Sequence, residues 1–385
     1  MLSPINMSHP NDHLGDQQDS ALRDALAMSL ITGIGPHLQS TLLEHFGSAT
    51  SVLHQTLESL LSVSGVGPKI ASQILSGSQR NKADEMLLKC RELNVSLLQK
   101  GANSYPQNLA QVDDAPNILY ARGVPKPEDD LAIAIVGSRR CTAYGRRQAE
   151  RLAGSLVRAG FTVVSGLARG IDGAAHRGAL NAGGRTIAVM ATGVKQIYPP
   201  EHADLAMEIV KQGAVVSEFP LDQKPRPGLF PQRNRIISGL SLGVIVIEAT
   251  RNSGALYTAR HAMEQGRDVF AIPGNVDSLA SEGCHDLIRD GVTLIRNVDD
   301  VLQDLGPLAQ PAVTKDATVI HDPREVGLNP QEKEILGHVS SSPVSVDEVI
   351  RATQLDMSRV LSTLTVLEMK RFIRRLPGNM LVRAH

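Results

Sequence analysis

Apolar residues recur at three- and four-residue spacing from Ala21 to about Gln99, the period of helices packed through one face, and Val95–Leu98 is the first convincing strand. From Leu131 to about Leu305 the pattern changes to short apolar or β-branched runs, each ending in glycine, serine or an acid. These are Leu131–Val136, Thr162–Val164, Thr186–Met190, Ala214–Val216, Leu242–Ile247 and Val269–Ile272. Such runs predict strands buried on both faces, hence a parallel α/β sheet with helices on either side. Beyond a Pro- and Asp-containing stretch, three helices are predicted, opening near Asn329, Ser345 and Ser358. Two strands, Phe372–Leu376 and Met380–Arg383, then pair around Pro377-Gly378-Asn379, and three helices with such a hairpin describe a winged helix.

The domain layout follows. Residues 1–20, polar and rich in Asp, Asn, Gln and Ser, read as a disordered tail. A helical domain covers 21–100, an α/β domain 101–305, a linker 306–329 and the winged helix 330–385. Pro106, Pro116, Pro125 and Pro127 mark 103–130 as a connecting region ahead of the first parallel strand.

Two segments of the helical domain repeat one another. Gly33-Ile34-Gly35-Pro36 and Gly65-Val66-Gly67-Pro68 each set an apolar residue between two glycines, and each leads into a further apolar helix. The glycines let the chain reverse tightly while a new helix points its free N–H groups outward, a geometry that holds phosphate. This resembles the helix-hairpin-helix module, which grips nucleic-acid backbone without reading bases. Lys69 follows the second hairpin but His37 takes the equivalent place in the first, so only the second keeps a fixed cation and the first reads as structural.

The formal net charge is −1, yet it is unevenly spread. Gly137–Arg185 holds nine arginines against two acids, Glu150 and Asp172. Lys224–Arg235 holds four cations and no acid, and Arg351–His385 seven against two. Guanidinium forks match phosphate oxygens bidentately, so arginines beside glycine loops favour a phosphate-bearing partner. For Arg146–Arg158, at helical spacing, a solvated helix face is the competing reading. No apolar run is long enough to span a membrane and the first twenty residues lack a signal-peptide core, so a cytoplasmic protein is expected. Cys90, Cys141 and Cys284 are far apart and odd in number, which argues against disulfides or a structural zinc site.

In an open parallel sheet, ligands bind beyond the carboxyl ends of the strands. There this sequence places Gly137-Ser138-Arg139-Arg140, Ser165-Gly166-Leu167-Ala168-Arg169, Ala191-Thr192-Gly193, Ser217-Glu218, Glu248-Ala249 with Ser253-Gly254, and Pro273-Gly274. Small residues permit close backbone approach, and their N–H and O–H groups suit anionic oxygens. The dinucleotide fingerprint is missing after the first strand and no P-loop occurs. Ser165, Asp172, His176, Glu218 and Glu248 are candidate nucleophiles or bases, but their spacing forms no catalytic set. Asp172 and His176 read as structural, with helix capping a role for Asp172. No cofactor and no metal are expected.

The ordered motifs Ile135-Val136-Gly137-Ser138-Arg139, Ser165–Asp172, Tyr198-Pro199-Pro200, Ser217-Glu218, Phe230-Pro231-Gln232-Arg233-Asn234-Arg235 and Ser253–Ala259 resemble the DNA-processing protein A (DprA, or Smf) family. The resemblance covers about residues 100–300 and agrees with the flanking units. It implies an extended Rossmann-like doubly wound domain between an N-terminal helix-hairpin-helix (SAM-like) domain and a C-terminal winged helix. It also implies a non-catalytic, single-stranded-DNA-binding homodimer that protects incoming strands and loads the recombinase RecA during natural transformation.

On that reading the phosphate contacts are Gly137, Ser138, Arg139, Arg140, Ser165, Gly166, Arg169, Lys195, Tyr198, Arg233, Asn234, Arg235, Ser253, Gly254 and Thr258, with Asp172, His176 and Glu218 structural. For Arg233-Asn234-Arg235 the alternative is an internal salt-bridge network. Tyr198 either stacks on a base or packs under Pro199-Pro200, and Lys195 either joins the site or lies exposed. Aromatics are 3% of the chain and tryptophan is missing, so binding should lean on phosphates and weaken with salt. The winged helix would contact duplex DNA or dock a protein. Two other functions compete: a nucleotide N-glycosidic hydrolase using Glu218 or Glu248 as acid or base, and a nucleotide-sensing module.

Overall fold

The computed structural model describes residues 12–305, 312–313, 319–320, 330–339, 344–353, 355–369, 372–376 and 380–383, with side chains described over 20–305, 331–339, 344–353, 355–368, 372–374, 376 and 380–383. Six helices open the chain: α1 (Asp12–Ser29), α2 (Pro36–Phe46), α3 (Ala49–Leu53), α4 (Leu57–Leu61), α5 (Pro68–Leu75) and α6 (Ser78–Glu92). Helix α1 begins inside the stretch expected to be disordered. Its later turns bury Ala25, Leu26 and Met28 in the core of the helical domain. Both glycine hairpins form as expected. Gly33 and Gly65 adopt φ of +94° and +86°, which L side chains resist, and Pro36 and Pro68 open α2 and α5.

A nine-stranded sheet follows. It comprises β1 (Val95–Gln99), β2 (Ile118–Gly123), β3 (Ala132–Gly137), β4 (Thr162–Ser165), β5 (Thr186–Val189), β6 (Ala214–Ser217), β7 (Gly243–Ile247), β8 (Asp268–Ala271) and β9 (Thr293–Leu294). The connecting helices are α7 (Gln107–Ala110), α8 (Ala143–Arg158), α9 (Ile171–Asn181), α10 (Ala203–Gln212), α11 (Leu229–Gly239), α12 (Gly254–Glu264) and α13 (Glu282–Arg289). The spatial order is β1-β2-β6-β5-β4-β3-β7-β8-β9, parallel from β6 to β9, with β1 and β2 antiparallel at one edge. All six expected parallel strands form. Strand β2, read from sequence as a connection, pairs with β6 at Tyr120↔Ser217. Pro116 and Pro125 bracket it instead of interrupting it.

Each face of the sheet carries a core. On one, Ala134, Val136, Val164, Val244 and Val246 pack with Ile236 of α11 and Ala255, Ala259 and Ala262 of α12. On the other, Ala188, Met190, Val215 and Tyr120 share a single apolar cluster with Leu205 and Ile209 of α10 and with Leu26, Leu42 and Ile74 of the helical domain. A buried hydrogen bond from Asn117 Nδ2 to Gln39 Oε1 (2.8 Å) crosses the same junction. The turns between β3 and α8 and between β7 and α12 meet where strand order reverses.

The C-terminal unit is a winged helix with helices Pro330–Gly337, Val346–Thr353 and Met357–Met369 and a sheet in which Met380–Arg383 lies between Val344–Ser345 and Ile373–Leu376. Ile335, Val349, Val360, Leu364, Leu367, Phe372 and Leu381 form its core. Ser345 Oγ accepts from Glu348 N (3.1 Å) and Glu348 Oε2 accepts from Ser345 N (3.4 Å), a capping box that starts the second helix. The expected linker at 306–329 falls almost wholly outside the described residues.

Candidate nucleic-acid interface

The carboxyl ends of β3, β4 and β5 open onto a shallow pocket lined by Arg139, Gly166, Ala168, Arg169, Ala191, Thr192, Tyr198, Pro199 and Phe230. Three consecutive strand-end turns thus supply one wall, and the loop before α10, with Tyr198 and Pro199, and the first turn of α11, with Phe230, supply the other. The Arg139 guanidinium lies 4.9 Å from the centroid of the Phe230 ring, and Tyr198 meets that ring edge-on at 5.8 Å. A cation over an aromatic face is held electrostatically while the remaining guanidinium edge stays free for an anion. Arg169, at the rim, pairs with Glu201; the pair is about half exposed, so water screens it and a phosphate can compete for the arginine.

Beneath the rim lies a buried polar support. Arg233 is 3% exposed and donates through Nη1 to the carbonyls of Gly166 (2.6 Å) and Val189. Burial pushes its pKa down to about 10, opposed by the neighbouring Asp172 carboxylate, so it remains a cation at neutral pH. Asp172 accepts from the N–H groups of Gly166 (3.2 Å) and Ala168 (3.3 Å), and burial pushes its carboxyl up against the pull of Arg233. The two side chains therefore clamp the β4–α9 turn from below, one through carbonyls and the other through amides. Gly166 has no room for a side chain: an added Cβ would lie 2.4 Å from Arg233 Nη1. His176, fully buried, has Thr186 Oγ1 at 2.7 Å from Nδ1; that hydroxyl donates to Val163 O, so Nδ1 carries the proton. Burial, aided by the positive field of His202, Arg177 and Arg233, pushes its pKa down to about 3.

At the strand-order reversal, β3 and β7 are locked together. Ser138 N donates to Glu248 O (2.6 Å), and Glu248 Oε2 accepts from Thr142 N (2.7 Å). Thr142 donates its hydroxyl to Glu248 and accepts from Gly145 N (3.2 Å), capping α8. Glu218 accepts from Arg235 Nη2 (2.6 Å), whose Nε reaches Asp114 (3.0 Å), and burial pushes the Glu218 carboxyl up, opposed by Arg235. Among the described residues no group of three or more His, Cys, Asp or Glu is placed to hold a metal.

The expected site residues divide accordingly. Arg139, Gly166, Arg169 and Tyr198 come together in the pocket, and Gly137, Ser138 and exposed Arg140 adjoin it, with Arg140 N donating to Ser138 Oγ (3.1 Å). Arg233 and Arg235, expected at phosphate, are both buried on internal partners, the arrangement that the internal-network alternative describes. Ser165 spends its hydroxyl on Ile135 O (2.6 Å) and Thr258 is buried. Asn234 donates to Gly254 O (3.1 Å), while Ser253 caps α12 by accepting from Ala255 N (3.3 Å). Lys195 lies exposed and pairs with Asp222 at 3.0 Å. Phe230 is the pocket residue that sequence reasoning missed. Its signal was an aromatic in an aromatic-poor chain, at the head of the Phe230–Arg235 motif.

The chain matches the family model of DNA recombination-mediator protein A over residues 96–306, that of the DprA winged helix domain over 321–379, and that of the SAM-like helix-hairpin-helix tandem over 25–80. Protein Smf of Synechocystis is 33% identical over 92% of this chain and 96% of its own length, and Protein Smf of Escherichia coli is 38% identical over 83% and 85%. Among solved structures, the DNA processing protein A of Streptococcus pneumoniae is 34% identical with a TM-score of 0.62, covering 73% of this chain and 95% of that one. The Helicobacter pylori protein, described for its single-stranded DNA binding mode, is 31% identical with a TM-score of 0.50 over 55% and 95%. With the central family model spanning more than half the chain and relatives aligned along nearly their full length, the protein belongs to the DNA recombination-mediator protein A (DprA/Smf) family.

Proposed function

We propose that this chain is a recombination mediator that binds single-stranded DNA in the pocket at the β3–β5 strand ends, protects the incoming strand and passes it to RecA during natural transformation. One observation carries the proposal: Arg139 and the Phe230 ring form a single surface that offers a cation to a phosphate and an aromatic edge to the adjoining base. Arg169 and Tyr198 extend that surface across the pocket. The grip is on backbone and stacking, so it reads no sequence. RecA delivery and homodimerisation through the later strands of the sheet follow the family reading. Two copies would give a longer strand two pockets. The protein would act in the cytoplasm; among the described residues no helix is long and apolar enough to cross a membrane.

The hydrolase reading needs a carboxylate facing the pocket, whereas Glu218 and Glu248 are engaged by Arg235 and Thr142. For the winged helix, the helix Met357–Met369 exposes Met357, Leu361 and Val366 beside Ser358 and Ser362, with Arg359 its exposed cation. Duplex contact there would depend on Arg359 and on Arg374 of the hairpin. The deciding experiment is anisotropy of a labelled single strand and its duplex against wild type and Arg139→Ala across a salt series, with a nucleotide-turnover control. Salt-sensitive single-strand binding that is lost in the variant supports the mediator. Turnover without strand binding overturns it.

A further inference from the structure

Helix α8 begins at the pocket edge and carries a run of arginines that the pocket does not use. Arg140, Arg146, Arg147 and Arg151 are all exposed. Glu150 is the helix's one acid; it is half-buried, with Gly178 of α9 packed against its backbone. Among the described residues none of the four arginines forms an ion pair. Arg151 rests on neutral acceptors, Gln148 Oε1 (2.7 Å) and the carbonyl of Arg296 (2.6 Å), and Arg146 lies against the Cys141 thiol. An arginine face meant only for solubility would ordinarily be interleaved with acids at i and i+4. This one carries no such acids beyond half-buried Glu150, so it is left to solvent, salt or an external polyanion to screen it.

The placement gives that polyanion a direction. Arg140 follows Arg139, which lines the pocket, and α8 starts three residues later with its N-terminus at the same sheet edge. Arg147 and Arg151 are one turn apart, about 6 Å along the axis, a spacing suited to successive phosphates of an extended strand. We propose that the exposed arginine face of α8 is a second phosphate track, along which the strand held in the pocket continues away from it. This rests on the pocket reading for where the strand starts, but not for whether the track binds.

The test compares wild type, Arg139→Ala and a double variant, Arg147→Gln with Arg151→Gln. Each is titrated by anisotropy with a labelled six-nucleotide oligo-dT, a thirty-nucleotide oligo-dT and a thirty-base-pair duplex over a salt series. The double variant is expected to bind the short strand like wild type and the long strand several-fold more weakly, with the slope of log K against log salt shallower by about 1.4, two single-strand phosphates at about 0.7 each. Unchanged affinity and slope on the long strand overturn the track, whatever Arg139→Ala does. Loss confined to the duplex also overturns it. If Arg139→Ala leaves both strands bound while the double variant still weakens the long one, the track stands and the pocket reading fails.

Discussion

Arg139 and Phe230 meet at 4.9 Å although they come from opposite walls of the pocket, one from the turn after β3 and the other from the first turn of α11. Their contact joins the two walls without either side chain being buried in the core. It also makes the cation and the ring a unit: moving one changes what the other presents.

Arg139→Ala should weaken single-strand binding by about tenfold or more and Phe230→Ala by about fivefold or more, since charge-assisted hydrogen bonds contribute about 1.5–3 kcal/mol and base stacking about 1–3 kcal/mol. The arginine variant should flatten the salt dependence while the phenylalanine variant leaves it nearly unchanged. Titrations at two salt concentrations separate the two, and thermal melting should show both variants as stable as wild type.

Arg233→Ala should behave in the opposite way. Removing a buried guanidinium strands Asp172 and the carbonyls of Gly166 and Val189, at a cost of about 3–5 kcal/mol. Urea unfolding is the measurement; a loss of strand affinity without a loss of stability would show that Arg233 reaches DNA after all.

Two glycines at the sheet edge should differ sharply. In Gly137→Ala the new Cβ would sit 1.8 Å from the Ile247 carbonyl oxygen, and backbone cannot yield there without parting β3 from β7. At Gly254 nothing lies within 4 Å of an added Cβ. The first substitution is expected to lower the unfolding midpoint strongly and the second to leave it within a degree or so, because surface changes away from such features are usually within about 0.5 kcal/mol.

His176 gives the fold an acid sensitivity of known sign. Its folded pKa of about 3 lies below the unfolded value of 6.5, so the unfolded chain binds the extra proton. The stability it confers is complete above pH 6.5 and is lost as the pH falls toward 3. His176→Gln keeps a donor for Thr186 and removes the titration. Between pH 7 and pH 5 wild type should lose about 2 kcal/mol more than the variant, at about 1.4 kcal/mol per unit below 6.5; equal losses in urea melts would refute the assignment.

Much of this fold is legible in the amino-acid sequence. The parallel strands announced themselves because strands buried on both faces have few polar positions, and the residues after β3 and β4 line the pocket. Strand β2 was hidden because prolines at its flanks look like prolines within it. Burial of Arg233 and Arg235 was undecidable from sequence: the Arg-Asn-Arg spacing on a helix is the same whether it faces solvent or Asp172, Glu218 and two carbonyls. Phe230 escaped because the pairing of a ring with Arg139 is a long-range event that no local pattern encodes.

The apolar cluster that runs from Leu26 and Leu42 into Tyr120 and Val215 has a mechanical meaning. The glycine hairpins are not beads on a string beside the sheet. They are welded to it, with Gln39 and Asn117 as the rivet. The span between a hairpin and the pocket is thus set by packed side chains, so a strand engaged by both would load one against the other.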